Sequence, residues 1–224
     1  MTDHVIAPPA LSAVPVAGGG LFPVRRIYCV GRNYAAHARE MGMDAREPPF
    51  FFAKPADAVR PLGGEISFPR ATQNLHHEVE LVVALKDSGA DVPVSAALDL
   101  VFGYAVGVDL TRRDLQTLAR EAGKPWDAAK GFDDSAPISA IVPGREPPAG
   151  AIKLAVNGQT RQNAVIADMI WSVPEIIAEA SKLWRLAPGD LIYTGTPEGV
   201  GPLVRGDAVT CEIEGVGALA FTLA

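Results

Sequence analysis

The run His76-His77-Glu78-Val79-Glu80-Leu81-Val82-Val83-Ala84-Leu85 constrains this chain more than any other stretch. Its second half is apolar and β-branched, which predicts a strand buried on both faces. Its first half carries two carboxylates spaced by one residue. Strand side chains alternate, so Glu78 and Glu80 point to the same face. Two acids side by side at the mouth of a buried strand repel each other and lose hydration, which is tolerable only if they are protonated, paired with cations or bound to a metal. The same alternation also fits the solvated face of an edge strand, with Val79, Leu81 and Val83 turned to the core. Additional carboxylates have to break the tie. The best candidate is Asp109, which ends the apolar run Phe102-Gly103-Tyr104-Ala105-Val106-Gly107-Val108 just before a helical pattern begins. Strand ends of this kind gather ligands and catalytic groups. Glu78, Glu80 and Asp109 without clustered sulfur make an oxygen-rich donor set, which selects Mg²⁺, Mn²⁺ or Ca²⁺ over zinc.

The rest of the composition narrows the class. A net charge of −6, with no run of Lys and Arg, gives no broad basic surface for nucleic acid, so a small-molecule substrate fits better. No apolar run reaches the length of a membrane span, and the N-terminus lacks the basic-then-apolar pattern of a secretion signal. Cys29 and Cys211 each sit in an apolar stretch, which predicts buried reduced thiols and favours the cytoplasm. Twenty-two glycines and nineteen prolines suit short strands joined by tight turns, not a helical bundle.

In chain order, residues 1–24 hold Pro8, Pro9, Pro15, Pro23 and Gly18-Gly19-Gly20 and are expected to form an irregular lead-in to one catalytic domain over 25–224. Arg26 to Gly31 predicts the first strand. Asn33 is placed to cap a short helix from Tyr34 to Met41 that stops at Gly42. His37 and Glu40, three apart on it, are residue types that move protons near neutral pH, although an exposed His beside a surface Glu gives the same spacing. The polar, proline-containing segment Met43 to Pro49 is a candidate hinge for that helix to act as a lid.

Phe50-Phe51-Phe52-Ala53-Lys54 predicts a strand with its cation either emerging at the site or reaching the surface. Glu65 to Phe68 predicts a short strand, and Val92 to Leu100 a short helix. Thr111 to Arg120 predicts a helix with Thr111 and Asp114 at capping-box spacing. If Asp109 begins it, Asp109, Arg113 and Gln116 share a face and could supply a metal ligand, a carboxylate clamp and an amide donor. Residues 124–137 read as a long loop that carries Lys130. Asn157-Gly158 is a strong hairpin signal, and Ser172-Val173-Pro174-Glu175 a capping box opening a helix to about Trp184. In Thr194-Gly195-Thr196-Pro197, backbone N–H groups and the Thr196 hydroxyl could cradle an anion, or form a plain turn. Two strands, Ala208 to Ile213 and Ala218 to Leu223, finish the chain.

The ordered series Gly31-Arg32-Asn33-Tyr34, His37-x-x-Glu40, His77-Glu78-Val79-Glu80, Asp109 with Arg113 and Gln116, Lys130, and Thr194-Gly195-Thr196-Pro197 resembles the fumarylacetoacetate hydrolase family from about residue 25 to the C-terminus. No single motif is specific; the series in that order is. The resemblance implies a mixed α/β, β-rich fold of sandwich or roll type with a few short helices, and a homodimer. It also implies a divalent metal, Mg²⁺ or Mn²⁺ with Ca²⁺ as a third candidate, on Glu78, Glu80 and Asp109. His37, Glu40 and Lys130 become the catalytic set, with Arg32, Arg113, Gln116, Gly195 and Thr196 around a 2-oxo acid. Against the mammalian founding enzyme, with its separate N-terminal domain, the chain resembles the short, single-domain bacterial branch. Its lead-in, Pro23 to Arg26 and Pro48 to Pro55 are most similar to fumarylpyruvate hydrolases of gentisate breakdown. The same scaffold serves decarboxylases of oxaloacetate and isomerases of unsaturated dioic acids, which residue spacing does not separate. A catalytically silent binder would have lost a carboxylate or the His37/Glu40 pair, and all are present.

Overall fold

A computed structural model describes residues 4–34 and 47–224. The expected helix from Tyr34 to Met41, its His37 and Glu40, and the hinge up to residue 46 therefore lie outside the described residues, apart from Tyr34. Tyr34 itself is buried and bridges Met169.

The strand expected at Glu80 is the centre of the molecule. Val79–Leu85 is buried at every position and pairs antiparallel with Val101–Val108 on one side and Asp190–Tyr193 on the other. The full order of this mixed sheet is Phe51–Lys54, Arg26–Val30, Asp190–Tyr193, Val79–Leu85, Val101–Val108, Ala136–Ile138 and Val59–Pro61, with Val142–Pro143 also on Val101–Val108. Alternation splits the central strand between two cores. Leu81, Val83 and Leu85 enter the larger cluster with the Val173–Leu183 helix and a second sheet, whereas Val82 and Ala84 enter a smaller cluster on the opposite face.

The second sheet runs Gln159–Val165, Ala151–Val156, Ala208–Ile213, Gly217–Leu223 and Gly64–Ile66. Here burial alternates, as in Ala208–Ile213, because one face packs on the core and the other meets water. Its hairpin turns at Asn157 (φ 51°) and Gly158 (φ 74°), both left-handed as a tight two-residue turn requires. The helix Val173–Leu183 opens on the expected reciprocal capping box of Ser172 and Glu175.

Several local expectations differ from the structure. The lead-in is not wholly irregular: Ala13–Pro15 pairs with Leu21–Pro23, and Val14 and Phe22 are buried over the smaller cluster, whose apolar surface needs that cover. Thr111 does not start a helix. Thr111–Arg112 pairs with Leu75–His77 in a three-stranded sheet completed by Gly201–Leu203, and the helix runs from Arg113 to Glu121. Asp114 caps no box with Thr111; its carboxylate accepts from Thr72 Oγ1 (2.7 Å) and the Gln73 N–H (2.9 Å). Val94–Leu100 winds as a 3-10 helix, and the expected 124–137 loop contains a short helix, Asp127–Lys130.

Candidate active site

Three segments deliver the carboxylates. Glu78 sits between Leu75–His77 and Val79–Leu85, Glu80 is the second residue of the central strand, and Asp109 follows the end of the neighbouring strand. The register that sets Glu80 against Gly107, and the bond from the Asp109 N–H to Glu78 O (2.8 Å), bring the three together. One oxygen from each lies within 4.8 Å of the others, and all three residues are buried. Gly107 is required by this packing, since a Cβ there would come within 2.5 Å of Val82 and 2.6 Å of Tyr193.

Cations compensate the acids unequally. Lys130 Nζ donates to Glu78 Oε2 (3.0 Å), Asp109 Oδ2 (2.6 Å) and Thr111 Oγ1 (2.6 Å). Arg113 pairs with Glu78 Oε1, donates to Gln116 Oε1, and meets His76 Nδ1 at 3.3 Å. Burial and Arg113 bring His76 down to about 4, so its imidazole is neutral and accepts from the guanidinium. Burial pushes the Glu78 carboxyl up, but Lys130 and Arg113 together outweigh it and hold it well below the usual range. Burial also opposes the charge on Lys130, and Asp109 and Glu78 more than restore it, so this amine stays a protonated donor.

Glu80 is the exception. Burial, Asp109 and Glu78 drive its pKa far up, against the Gly195 N–H (2.8 Å) and the more distant Lys130. Asp109 Oδ1 shares this incompleteness. Lys54 Nζ is 2.8 Å away, yet its hydrogen bonds go to Leu110 O (3.2 Å) and Lys130 O, leaving that buried oxygen without one. Three hard oxygen donors, one strongly destabilised as an anion and one with an unmatched lone pair, fit a divalent cation of the Mg²⁺ or Mn²⁺ kind.

The expected anion cradle at residues 194–197 faces inward instead. Gly195, at φ +96°, turns its N–H to Glu80, and a Cβ there would lie 2.7 Å from Asn33 Cβ. The Thr196 hydroxyl donates to Val79 O (2.8 Å) and accepts from Gln162 Nε2 (2.8 Å). Both residues thus brace the acidic strand. Asn33, expected as a helix cap, is buried and ties Trp171 to Thr194 through its side-chain amide. Asp109 does not begin the Arg113 helix, but Arg113 and Gln116 still share its site-facing stripe. They line a cavity of about 270 Å³ with Glu78, Lys130 and Arg32.

Sequence reasoning missed Thr111, which donates to Glu78 Oε1 (3.1 Å), and Gln162, which bonds the His77 ring (3.0 Å), the Val79 N–H (3.1 Å) and Thr196. Gln162 is the one fully buried position of Gln159–Val165, and no alternation in the sequence marks it, because the apolar Ala164 and Val165 fall on opposite faces.

The fumarylacetoacetate (FAA) hydrolase C-terminal family model matches residues 26–224. The chain belongs to the fumarylacetoacetate hydrolase family. As a member it is an enzyme with that family's strand-rich α/β fold. It is 45% identical over 179 residues to the fumarylpyruvate hydrolase of Ralstonia sp, covering 79% of this chain and 93% of the relative. It is 44% identical over 200 residues to the mitochondrial oxaloacetate tautomerase of Mus musculus, covering 88% and 90%. The crystal structure of the fumarylpyruvate hydrolase from Pseudomonas aeruginosa in complex with Mn²⁺ and pyruvate superposes with a TM-score of 0.96 at 49% identity, covering 99% of each chain. No helix among the described residues is long and apolar enough to cross a membrane.

Proposed function

We propose that the protein hydrolyses the carbon–carbon bond of an acylpyruvate, foremost fumarylpyruvate to fumarate and pyruvate in aromatic breakdown. Glu78, Glu80 and Asp109 would hold a divalent cation, Mn²⁺ or Mg²⁺. The observation that carries this reading is the convergence of those three buried carboxylates beside Arg113, Gln116 and Lys130. The Pseudomonas relative, crystallised with Mn²⁺ and pyruvate, supports it. The cation supplies a charge that polarises the dioxo system when bound.

The chain's own groups do the rest. Arg113 and Gln116 orient the 2-oxo acid carboxylate as a fork and an amide donor. Lys130, kept protonated by Asp109 and Glu78, stabilises negative charge as it develops. His37, oriented by Glu40, takes a proton from water as its oxygen attacks the distal carbonyl. The bond between that carbon and the pyruvate methylene then breaks. Its electron pair leaves as the enolate of pyruvate, which takes up a proton, while the hydroxyl remains on fumarate. A homodimer and a cytoplasmic site of action belong to the same reading, and a monomer in light scattering at micromolar concentration counts against the former.

The relationship to an oxaloacetate tautomerase favours a second reading, in which the same groups move a proton on oxaloacetate without attack by water. Pyruvate release from fumarylpyruvate, acetylpyruvate and oxaloacetate with added Mn²⁺, run beside enol–keto interconversion of oxaloacetate, decides between them. Release from fumarylpyruvate is the expected result. Interconversion alone would overturn the hydrolase assignment.

A further inference from the structure

The site cavity holds more positive charge than the chemistry at its base uses. Arg113, Gln116, Thr117 and Arg120 line it from one helix, and their spacing of three, four and seven places them on one stripe. At the inner end, Arg113 gives one N–H of each nitrogen to His76, Gln116 and Glu78, which leaves one N–H on each Nη for a ligand. At the outer end, exposed Arg120 has no side-chain hydrogen bond or ion pair among the described residues. Arg32 lines the same cavity. Its pKa is lowered by burial, with Glu47 opposing and Arg120 adding to the shift, so the two guanidiniums stand in each other's field. Glu47 offsets charge on Arg32, whereas Arg120 has no carboxylate partner among the described residues, so an anion is favoured at the Arg120 end of the cavity.

Length narrows what that anion belongs to. Seven helical residues rise about 10 Å, which separates Arg113 at the base from Arg120 at the mouth. A seven-carbon chain of six bonds near ~1.5 Å spans roughly 7–8 Å when extended. Charge-assisted hydrogen bonds of about 2.8 Å at its ends bring both guanidiniums within reach. A four-carbon dianion, roughly 4 Å long, matches that spacing less well.

We infer that Arg120, with Arg32 opposite, is the specificity-determining residue that reads the distal carboxylate of a long dianionic 2-oxo acid, so that the preferred acylpyruvate is one whose acyl group ends in an acid. This rests on the acylpyruvate reading above, with Arg113 and Gln116 holding the proximal end.

The test uses the full chain loaded with Mn²⁺. Calorimetric titration with 2-oxo dicarboxylic acids of four to seven carbons is expected to show affinity rising with length in the wild type. Arg120→Gln should flatten that rise, costing the longest acid about tenfold or more, and Arg120→Lys should keep part of it. Pyruvate titrations of the same proteins report on the base of the cavity alone and verify that it is intact. In turnover, Arg120→Gln should lower kcat/KM for fumarylpyruvate about tenfold more than for acetylpyruvate, mainly through KM. Flat affinity in the wild type, or an unchanged length preference in Arg120→Gln, overturns the inference. A length preference that Arg120→Gln abolishes, in a wild type that hydrolyses neither acylpyruvate, supports the role of Arg120 and sinks the hydrolase reading instead.

Discussion

The central and outer sheets use strands of similar length under opposite rules. In the outer sheet, Ala208–Ile213 alternates between core and water, so Thr210 and Glu212 are exposed while Val209, Cys211 and Ile213 pack inward. In the central sheet, Val79–Leu85 is dry on both faces, and its one polar side chain, Glu80, has no water to turn to. A carboxylate on the outer sheet keeps its hydration. One on the central sheet must be matched by protein groups, and here the matching is uneven: Glu78 has two cations, Asp109 has two lysines nearby, and Glu80 has one peptide N–H. Chemistry collects where compensation is incomplete, because a buried oxygen without a full set of partners is the one that gains most from a ligand.

The sharpest test of that contrast is Glu80→Ala. Saturating Mn²⁺ at about a hundred times Kd should add roughly 2.7 kcal/mol to the wild type. In a chain of this size that raises Tm by roughly 5–10 °C. The variant should show no such shift and no turnover, whereas a retained shift would place the cation elsewhere.

His37→Ala separates base from ligand. It should lower kcat for acylpyruvate hydrolysis by roughly 10²–10⁴-fold, the usual worth of a positioned general base, and leave Mn²⁺ affinity nearly as it was. Parallel loss of both would make His37 part of the metal site.

Lys54→Met probes the cost of charge in the dry sheet. Lys54 is fully buried beside Asp109, so removing one partner should destabilise the protein by about 3–5 kcal/mol in urea unfolding. A neutral outcome would mean that Lys130 alone compensates Asp109.

The last pair leaves charge aside. Leu81→Ala, which empties a site in the larger core, should cost about 2–5 kcal/mol. Thr210→Ala on the watered face of the outer sheet should stay within about 0.5 kcal/mol. Equal costs would show that the two sheets are not as different as their burial patterns suggest.

The amino-acid sequence by itself determined the features that depend on neighbours along the chain. Asn157-Gly158 turns because both residues tolerate left-handed backbone, and Ser172 with Glu175 caps because the two reach across one helical turn. The pairing of Glu78 and Glu80 with Asp109 was legible for a similar reason: period-two alternation sets the face of the two glutamates, and the three acids precede, interrupt and end apolar runs. Only the tertiary structure decided which distant groups meet there. Strand order sets Asp190–Tyr193 beside Val79–Leu85, and so turns Gly195 and Thr196 inward to brace the acidic strand. It draws Thr111 out of its expected helix onto Leu75–His77, and brings Gln162 from the outer hairpin beneath His77. Spacing along a chain assigns a side chain to a face; what stands opposite that face follows from how the sheets close, because burial forces each polar group to take the partner that packing places within reach.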